Sequence, residues 1–134
     1  MPARIEVGRK GCRGAYRTPP SVQGCLVVDC TVISDPLHRP NKSKSEKKKF
    51  FPVPVVAEKL ESVHGSKFLG LVDKVVQGVL EDKVVHVQCM IGQNRSQAVA
   101  WRAAEKLRVD HPEIPFEGPV CLPGLVSRIP GVNV

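Results

Sequence analysis

One stretch of the chain, from Val84 to Trp101, constrains the fold more than any other. Val84–Gln88 is an apolar run rich in β-branched valine, which is typical of a buried strand. A helical pattern with several alanines begins near Arg95, after a short loop. A strand that passes through a short loop into a helix is the repeating unit of parallel α/β sheets. Aromatic residues make up only 4% of the chain while valine is abundant, which also favours a core of small aliphatic side chains.

The other hydrophobic patterns predict the remaining elements of such a sheet. Apolar residues at spacings of three and four predict two helices, Ser66–Asp82 and Arg95–Arg108. Three further strands are predicted: a short one at Ala3–Val7, a central one at Cys25–Ile33, and a shorter edge strand with two prolines at Phe50–Val56. We therefore expect a three-layer α/β domain whose mostly parallel sheet of four or five strands is flanked by helices on both faces.

The length of 134 residues predicts one compact domain over 1–134. Within it, 1–24 is expected to be an irregular basic N-terminal arm apart from the short strand, and 112–134 a proline-rich C-terminal tail. No run is long and apolar enough for a membrane span, and no signal-peptide segment begins the sequence, so no membrane partner is expected. Five cysteines without a secretion signal predict free thiols in the cytoplasm, with the nucleus as an alternative.

The loop after the Val84–Gln88 strand carries residue types that suit an anion. It begins with Cys89 and ends with Arg95 and Ser96, at the start of the predicted helix. Backbone N–H groups at a helix N-terminus attract anions, and the planar guanidinium of an arginine grips two oxygens of a phosphate. The same groups favour a cysteine in its thiolate form. Cys25 and Cys30 are candidates for a protective disulfide with that cysteine.

The spacing of these residues resembles a known family. A cysteine, five residues, an arginine and a serine, with Gly92 at the third place after Cys89, resemble the phosphate-binding loop of the cysteine-dependent protein tyrosine phosphatases, most of all the dual-specificity branch. The resemblance implies a phosphatase-like fold and a metal-free, cofactor-free hydrolysis through phosphocysteine, with Cys89 as nucleophile and Ser96 assisting it. It also implies that the loop amides and the arginine hold the phosphate, through Met90, Ile91, Gly92, Gln93, Asn94 and Arg95.

Two positions depart from the pattern of this family. Its general acid is normally an aspartate before the cysteine, whereas this chain offers Glu58, which lies 31 positions ahead of Cys89, and, less favoured, Asp35 and Asp29. The histidine that usually precedes the cysteine is replaced by Gln88, while His86, two places earlier, is expected to have a structural or surface role. Loss of both groups favours the alternative that the chain is a weak or inactive phosphate-binding interaction module.

The net charge of +7 predicts an anionic partner. Five of the lysines lie in one run over 42–49, which predicts either a solvated loop or a contact with phosphorylated protein or nucleic acid. The resemblance implies a substrate protein carrying phosphotyrosine or phosphoserine and phosphothreonine. The positive net charge also favours a further alternative, a phosphatase that acts on RNA 5′-phosphates. A rhodanese-like or arsenate-reductase-like thiol site fits less well, because Gly92 and Ser96 match the phosphatase pattern.

Overall fold

The computed structural model describes residues 2–11, 17–37, 51–90 and 94–130. The lysine run at 42–49 and the loop residues Ile91, Gly92 and Gln93 lie outside the described residues. The strands and helices, with a 3-10 turn at Cys30–Val32 after the second strand, are β1 (Ala3–Arg9), β2 (Leu26–Asp29), α1 (Val53–His64), α2 (Ser66–Leu80), β3 (Val84–Cys89), α3 (Arg95–Asp110) and β4 (Phe116–Cys121). The predicted strand at Ala3–Val7 and both predicted helices are confirmed.

The described part of the chain has an α/β fold in which four strands form one parallel sheet in the order β2-β3-β1-β4. This confirms the predicted mostly parallel sheet flanked by helices, in an arrangement consistent with three layers. Because all strands run in the same direction, their carboxyl ends meet at one edge of the sheet. Cys89 ends β3 at that edge, and Arg9 of β1 is its partner in the register.

The three described helices pack on one face of the sheet, whereas helices on both faces were expected. That face carries Ile5 and Val7 of β1 and Val85 and Val87 of β3, all fully buried with helix residues in one hydrophobic core. The physical reason is the strand order. The crossovers from β2 to β3 and from β3 to β4 move across the sheet in the same direction, so two right-handed connections place their helices on the same side.

The opposite face of the sheet is polar at its centre and is covered by irregular chain. Glu6 and His86 are fully buried there, with His86 Nδ1 2.7 Å from Glu6 Oε2. Ser21 closes the cluster, because its backbone N–H donates to Glu6 Oε2 at 3.0 Å and its hydroxyl donates to Glu6 Oε1. Gly8 lies against the His86 ring, and there is no room for a side chain between them. Irregular chain around Ser21 therefore forms the third layer.

Burial raises the pKa of the Glu6 carboxyl, but the hydrogen bonds from Ser21 and the hydrogen bond and charge of His86 outweigh it. The pKa of Glu6 therefore lies below its usual value, and the residue is held as a carboxylate. His86 has the structural role expected of it. Its Nε2 atom is buried without a hydrogen-bond partner among the described residues.

Three predictions about individual elements were wrong. Val53–His64 is a helix, where the sequence predicted a strand over Phe50–Val56. The predicted central strand at Cys25–Ile33 is the four-residue β2, which lies at the sheet edge because β3 is its one strand partner among the residues that the structure describes. The proline-rich tail contains β4, which the sequence patterns did not predict. None of the helices among the described residues combines the length and apolar character needed to cross a membrane.

Candidate functional site

The thiol of Cys89 lies where β3 turns toward α3, at the carboxyl edge of the sheet. Cys89 is 2% exposed and Ser96, in the first turn of α3, is fully buried. Their Sγ and Oγ atoms are 3.2 Å apart and form a hydrogen bond. The structure therefore brings together the first and last members of the predicted motif, Cys89 and Ser96, through a direct contact across the loop.

The strand before the thiol is fixed by its neighbours. Beyond the end of β1, Lys10 N–H donates to the Cys89 carbonyl at 2.9 Å, and Gly11 N–H donates to the Met90 carbonyl at 3.2 Å. These bonds tie the two residues after β1 to the end of β3 and the start of the loop. The entrance to the loop is thus held by backbone hydrogen bonds, which position the thiol without using any side chain of the motif.

Arg95, the last residue of the motif, is half-buried at the start of α3. Its Nη1 atom donates to the carbonyl of Ile33 at 2.7 Å, and this is the one hydrogen bond that its side chain makes with the described residues. The guanidinium keeps further N–H donors that can contact an oxyanion. Arg95 therefore lies at the loop as predicted, and a neighbouring segment fixes one side of its planar group.

The segment after the 3-10 turn, Ile33 to Asp35, lies against the loop. Besides the contact with Arg95, Asn94 Nδ2 donates to Asp35 Oδ2 at 2.9 Å, and His64 Nε2 donates to the Ser34 carbonyl at 2.8 Å. Three consecutive residues are therefore each held by a side chain from another element. No local sequence pattern predicts the contact between Asn94 and Asp35, because the two residues are 59 positions apart in the chain.

The three candidate acids occupy different places. Glu58 lies on the exposed side of α1, and its carboxylate makes no hydrogen bond or ion pair within the described residues. Asp29 ends β2, where Lys10 Nζ contacts it at 2.8 Å and Thr31 N–H and hydroxyl donate to it. Burial raises the pKa of Asp29, but the hydrogen bonds from Lys10 and Thr31 outweigh it and hold that pKa below its usual value. The half-buried Asp35 is the carboxylate in direct contact with the loop, through Asn94.

Cys30 is the thiol that the structure places beside Cys89. It directly follows β2, whose Asp29 pairs with Gln88, and it is fully buried. Burial, with the neighbouring Cys89 and the negative charge of Asp29, raises the pKa of the Cys30 thiol well above its usual value, despite the opposing charge of Arg95. Gln88, where the resembling family has a histidine, is half-buried and belongs to the same sheet face as His86, opposite Cys89.

No group of three or more histidine, cysteine or acidic side chains within the described residues has the arrangement of a metal site. The fold and site together define an α/β domain with a buried thiol, a serine and an arginine at the loop between a parallel strand and a helix. Comparisons with protein-family models, with curated proteins and with solved structures gave no match.

Proposed function

We propose that the chain binds phosphate monoesters at the Cys89 loop and hydrolyses them through a phosphocysteine intermediate, as a dual-specificity-like cysteine-dependent phosphatase. The observation that carries the proposal is the 3.2 Å hydrogen bond between Cys89 Sγ and Ser96 Oγ across the loop. A hydroxyl in this place can donate to the sulfur while the bond between sulfur and phosphorus breaks. Arg95, fixed on one side by Ile33, supports the proposal because its remaining donors can hold the phosphoryl oxygens.

In the proposed reaction the Cys89 thiolate attacks phosphorus, and the bond from phosphorus to the ester oxygen breaks. The leaving oxygen takes a proton from a carboxylic acid, for which Asp35 is better placed than Glu58 because it contacts the loop. The resulting carboxylate then accepts a proton from water, whose oxygen attacks phosphorus and releases the cysteine. Arg95 and the loop amides stabilise the negative charge in both steps.

The phosphoprotein substrate implied by the family resemblance remains part of this proposal. So does a reducing compartment, cytoplasm or nucleus, because a disulfide-bonded Cys89 has no nucleophilic sulfur. The nucleic-acid alternative depends on the lysine run at 42–49, outside the described residues, and stays a prediction.

The test is hydrolysis of 4-nitrophenyl phosphate by the wild-type chain, Cys89→Ser and Cys25→Ser. Cys25→Ser is the matched control, because Cys25 is a free, half-buried thiol at the other end of β2. We expect activity in the wild type and the control and none in Cys89→Ser, with a phosphorylated Cys89 peptide detectable by mass spectrometry after rapid quenching. Equal activity in Cys89→Ser would contradict the proposed chemistry.

The acid is identified by comparing Asp35→Asn with Glu58→Gln. If Asp35 is the acid, Asp35→Asn lowers kcat by about a hundredfold or more for an ester with a poor leaving group, which is the usual scale of general acid catalysis. Glu58→Gln then has little effect. If Glu58→Gln lowers kcat and Asp35→Asn does not, Glu58 is the general acid, as its spacing from Cys89 suggested.

A second candidate function is phosphate binding without turnover. This alternative is favoured by the hydrogen bonds that occupy the two acids near the loop. Lys10 bonds to Asp29, and Asn94 bonds to Asp35. Under this alternative the wild type hydrolyses no ester, yet it binds inorganic phosphate or vanadate, and Arg95→Gln abolishes that binding. A chain that shows neither hydrolysis nor anion binding rejects both functions.

A further inference from the structure

A cavity of about 460 Å³ opens beside the candidate site, at the carboxyl edge of the sheet. Arg9 and Arg17 line it, and none of the described residues lining it is acidic. The rest of the lining is uncharged and includes the apolar side chains of Pro20, Leu122 and Pro123. Cavities of about 300–1,000 Å³ with apolar walls and a few polar groups are typical sites for small organic ligands. The two arginines select for an organic ligand that is negatively charged.

The cavity adjoins the Cys89 loop through β1. Arg9 is the register partner of Cys89, and adjacent strands in a sheet are about 4.8 Å apart. Lys10, the next residue, bonds to the Cys89 carbonyl at 2.9 Å. A ligand whose phosphate occupies the loop therefore has this cavity on the β1 side of the loop, at the same edge of the sheet.

Both walls of the cavity are tied to β1. Thr18 N–H donates to the Arg9 carbonyl at 2.7 Å, and Leu122 N–H donates to the Val7 carbonyl at 3.0 Å. Ser21 is held in addition by the buried carboxylate of Glu6. Walls fixed before binding lose little conformational entropy when a ligand enters, which favours affinity for a small molecule.

We propose that this cavity binds a second anionic group of the ester whose phosphate occupies the Cys89 loop. The substrate class is then a small-molecule phosphomonoester that carries a carboxylate or second phosphate on an apolar ring or chain. This inference rests on the proposed phosphate binding at Cys89, and it replaces the phosphoprotein of that proposal with a small-molecule substrate. A phosphorylated protein side chain has no anionic group of its own besides the phosphate, so it places no second anion beside Arg9 and Arg17.

The experiment measures calorimetric binding of phosphonates, whose bond from phosphorus to carbon resists hydrolysis, to the wild-type chain. The probes are benzylphosphonate, 4-carboxybenzylphosphonate and a longer analogue with a carboxyethyl group on the ring. We expect one carboxylated probe to bind at least about tenfold more tightly than benzylphosphonate, as a charge-assisted hydrogen bond provides. Arg17→Gln removes most of this preference and leaves the affinity for benzylphosphonate unchanged. Arg9→Gln tests the second arginine in the same way.

Arg108→Gln is the matched control, because it removes the same charge from an exposed site in the last turn of α3. It should leave the preference intact. Equal affinity for all three phosphonates, or a preference that survives both cavity substitutions, overturns the subsite while phosphate binding at the loop stands. A phosphotyrosine peptide with flanking glutamates that binds more tightly than both carboxylated probes overturns the small-molecule class. Failure of inorganic phosphate and every phosphonate to bind overturns the proposed function and this inference together.

Discussion

Substituting Gly8 by alanine should destabilise the protein through the buried histidine beside it. A Cβ built on Gly8 would lie 2.5 Å from His86 Nε2, closer still to Cε1, and 3.1 Å from the Thr18 carbonyl oxygen. Carbon and nitrogen atoms without a bond between them need about 3.5 Å, so the ring must move by roughly 1 Å. That movement disturbs the 2.7 Å contact between His86 Nδ1 and Glu6.

The expected magnitude follows from two effects. Overpacking of a buried site destabilises by about 1–3 kcal/mol, and a weakened buried hydrogen bond to a charged group adds about 1–2 kcal/mol. The lower backbone entropy of the unfolded alanine chain offsets about 0.5–1 kcal/mol. We therefore expect Gly8→Ala to lower the free energy of unfolding by about 2–4 kcal/mol, a large share of a typical domain's stability.

Urea unfolding followed by far-UV circular dichroism measures this change. Gly70→Ala is the matched control, because Gly70 lies in α2 and a Cβ there meets nothing within 4 Å. The control should stabilise the chain by about 0.5–1 kcal/mol through helix propensity. The reasoning is refuted if Gly8→Ala and Gly70→Ala have the same midpoint. It is also refuted if the cost of Gly8→Ala is undiminished in a His86→Ala background, since the clash is then not with the ring.

Three further predictions concern stability and thiol reactivity. Because the folded pKa of Glu6 is below its unfolded value near 4.5, its contribution to stability is complete above that pH and is lost as the pH falls through the folded pKa. The slope of unfolding free energy against pH below 4.5 should therefore be smaller in Glu6→Gln. Cys30, fully buried with a raised pKa, should react with iodoacetamide at pH 7.5 far more slowly than the half-buried Cys25, and equal rates of peptide alkylation would contradict this. Gln97 is fully buried and bonds to the Val126 carbonyl and the Arg128 N–H, both at 2.8 Å, so Gln97→Ala should cost about 2–3 kcal/mol in the same urea assay.

Hydrophobic patterns correctly predicted the strands and helices whose structure is decided by residues nearby in the sequence. The apolar run at Val84–Gln88 is β3, and the alanine-rich pattern from Arg95 is α3. Apolar spacing likewise predicted α2 to within two residues at its end. Each of these segments has a single strong hydrophobic period, and the residues that the fold buries follow that period.

The two prolines near Val53 show why α1 was predicted as a strand. Beta-branched valines on either side of Pro52 and Pro54 suggested a poorly paired strand. In the structure Pro52 is the N-cap and Pro54 lies in the first turn of α1, where a helix does not use the missing N–H. The same residues thus disfavour a strand and favour a helix start, and tertiary packing decides between them.

The order of the strands in the sheet could not be predicted from the sequence. The apolar Cys25–Ile33 segment predicted a central strand, yet β2 is at one edge and Val27 is 45% exposed. Strand β4 contains Pro119, which argued against a strand, but β4 is the other edge, where a missing N–H is tolerated. Which strand lies outermost depends on contacts between segments far apart in the chain.

Only part of the candidate site could be predicted from the sequence, because some of its contacts join residues that are far apart in the chain. Cys89, Arg95 and Ser96 lie within one local motif, and the structure brings them to one loop. Asp35 reaches that loop through a contact between distant residues, which spacing along the chain does not reveal.

The position of β1 has a consequence for the order in which the protein can fold. Its residue Glu6 contacts His86 of β3, 80 residues later, and its other partner, β4, comes later still. During synthesis β1 therefore leaves the ribosome long before either neighbour exists, with Ile5 and Val7 exposed. Until β4 is made, one edge of this apolar strand stays open to pairing with other chains. By covering that edge, β4 thus protects the protein from aggregation as well as extending its sheet.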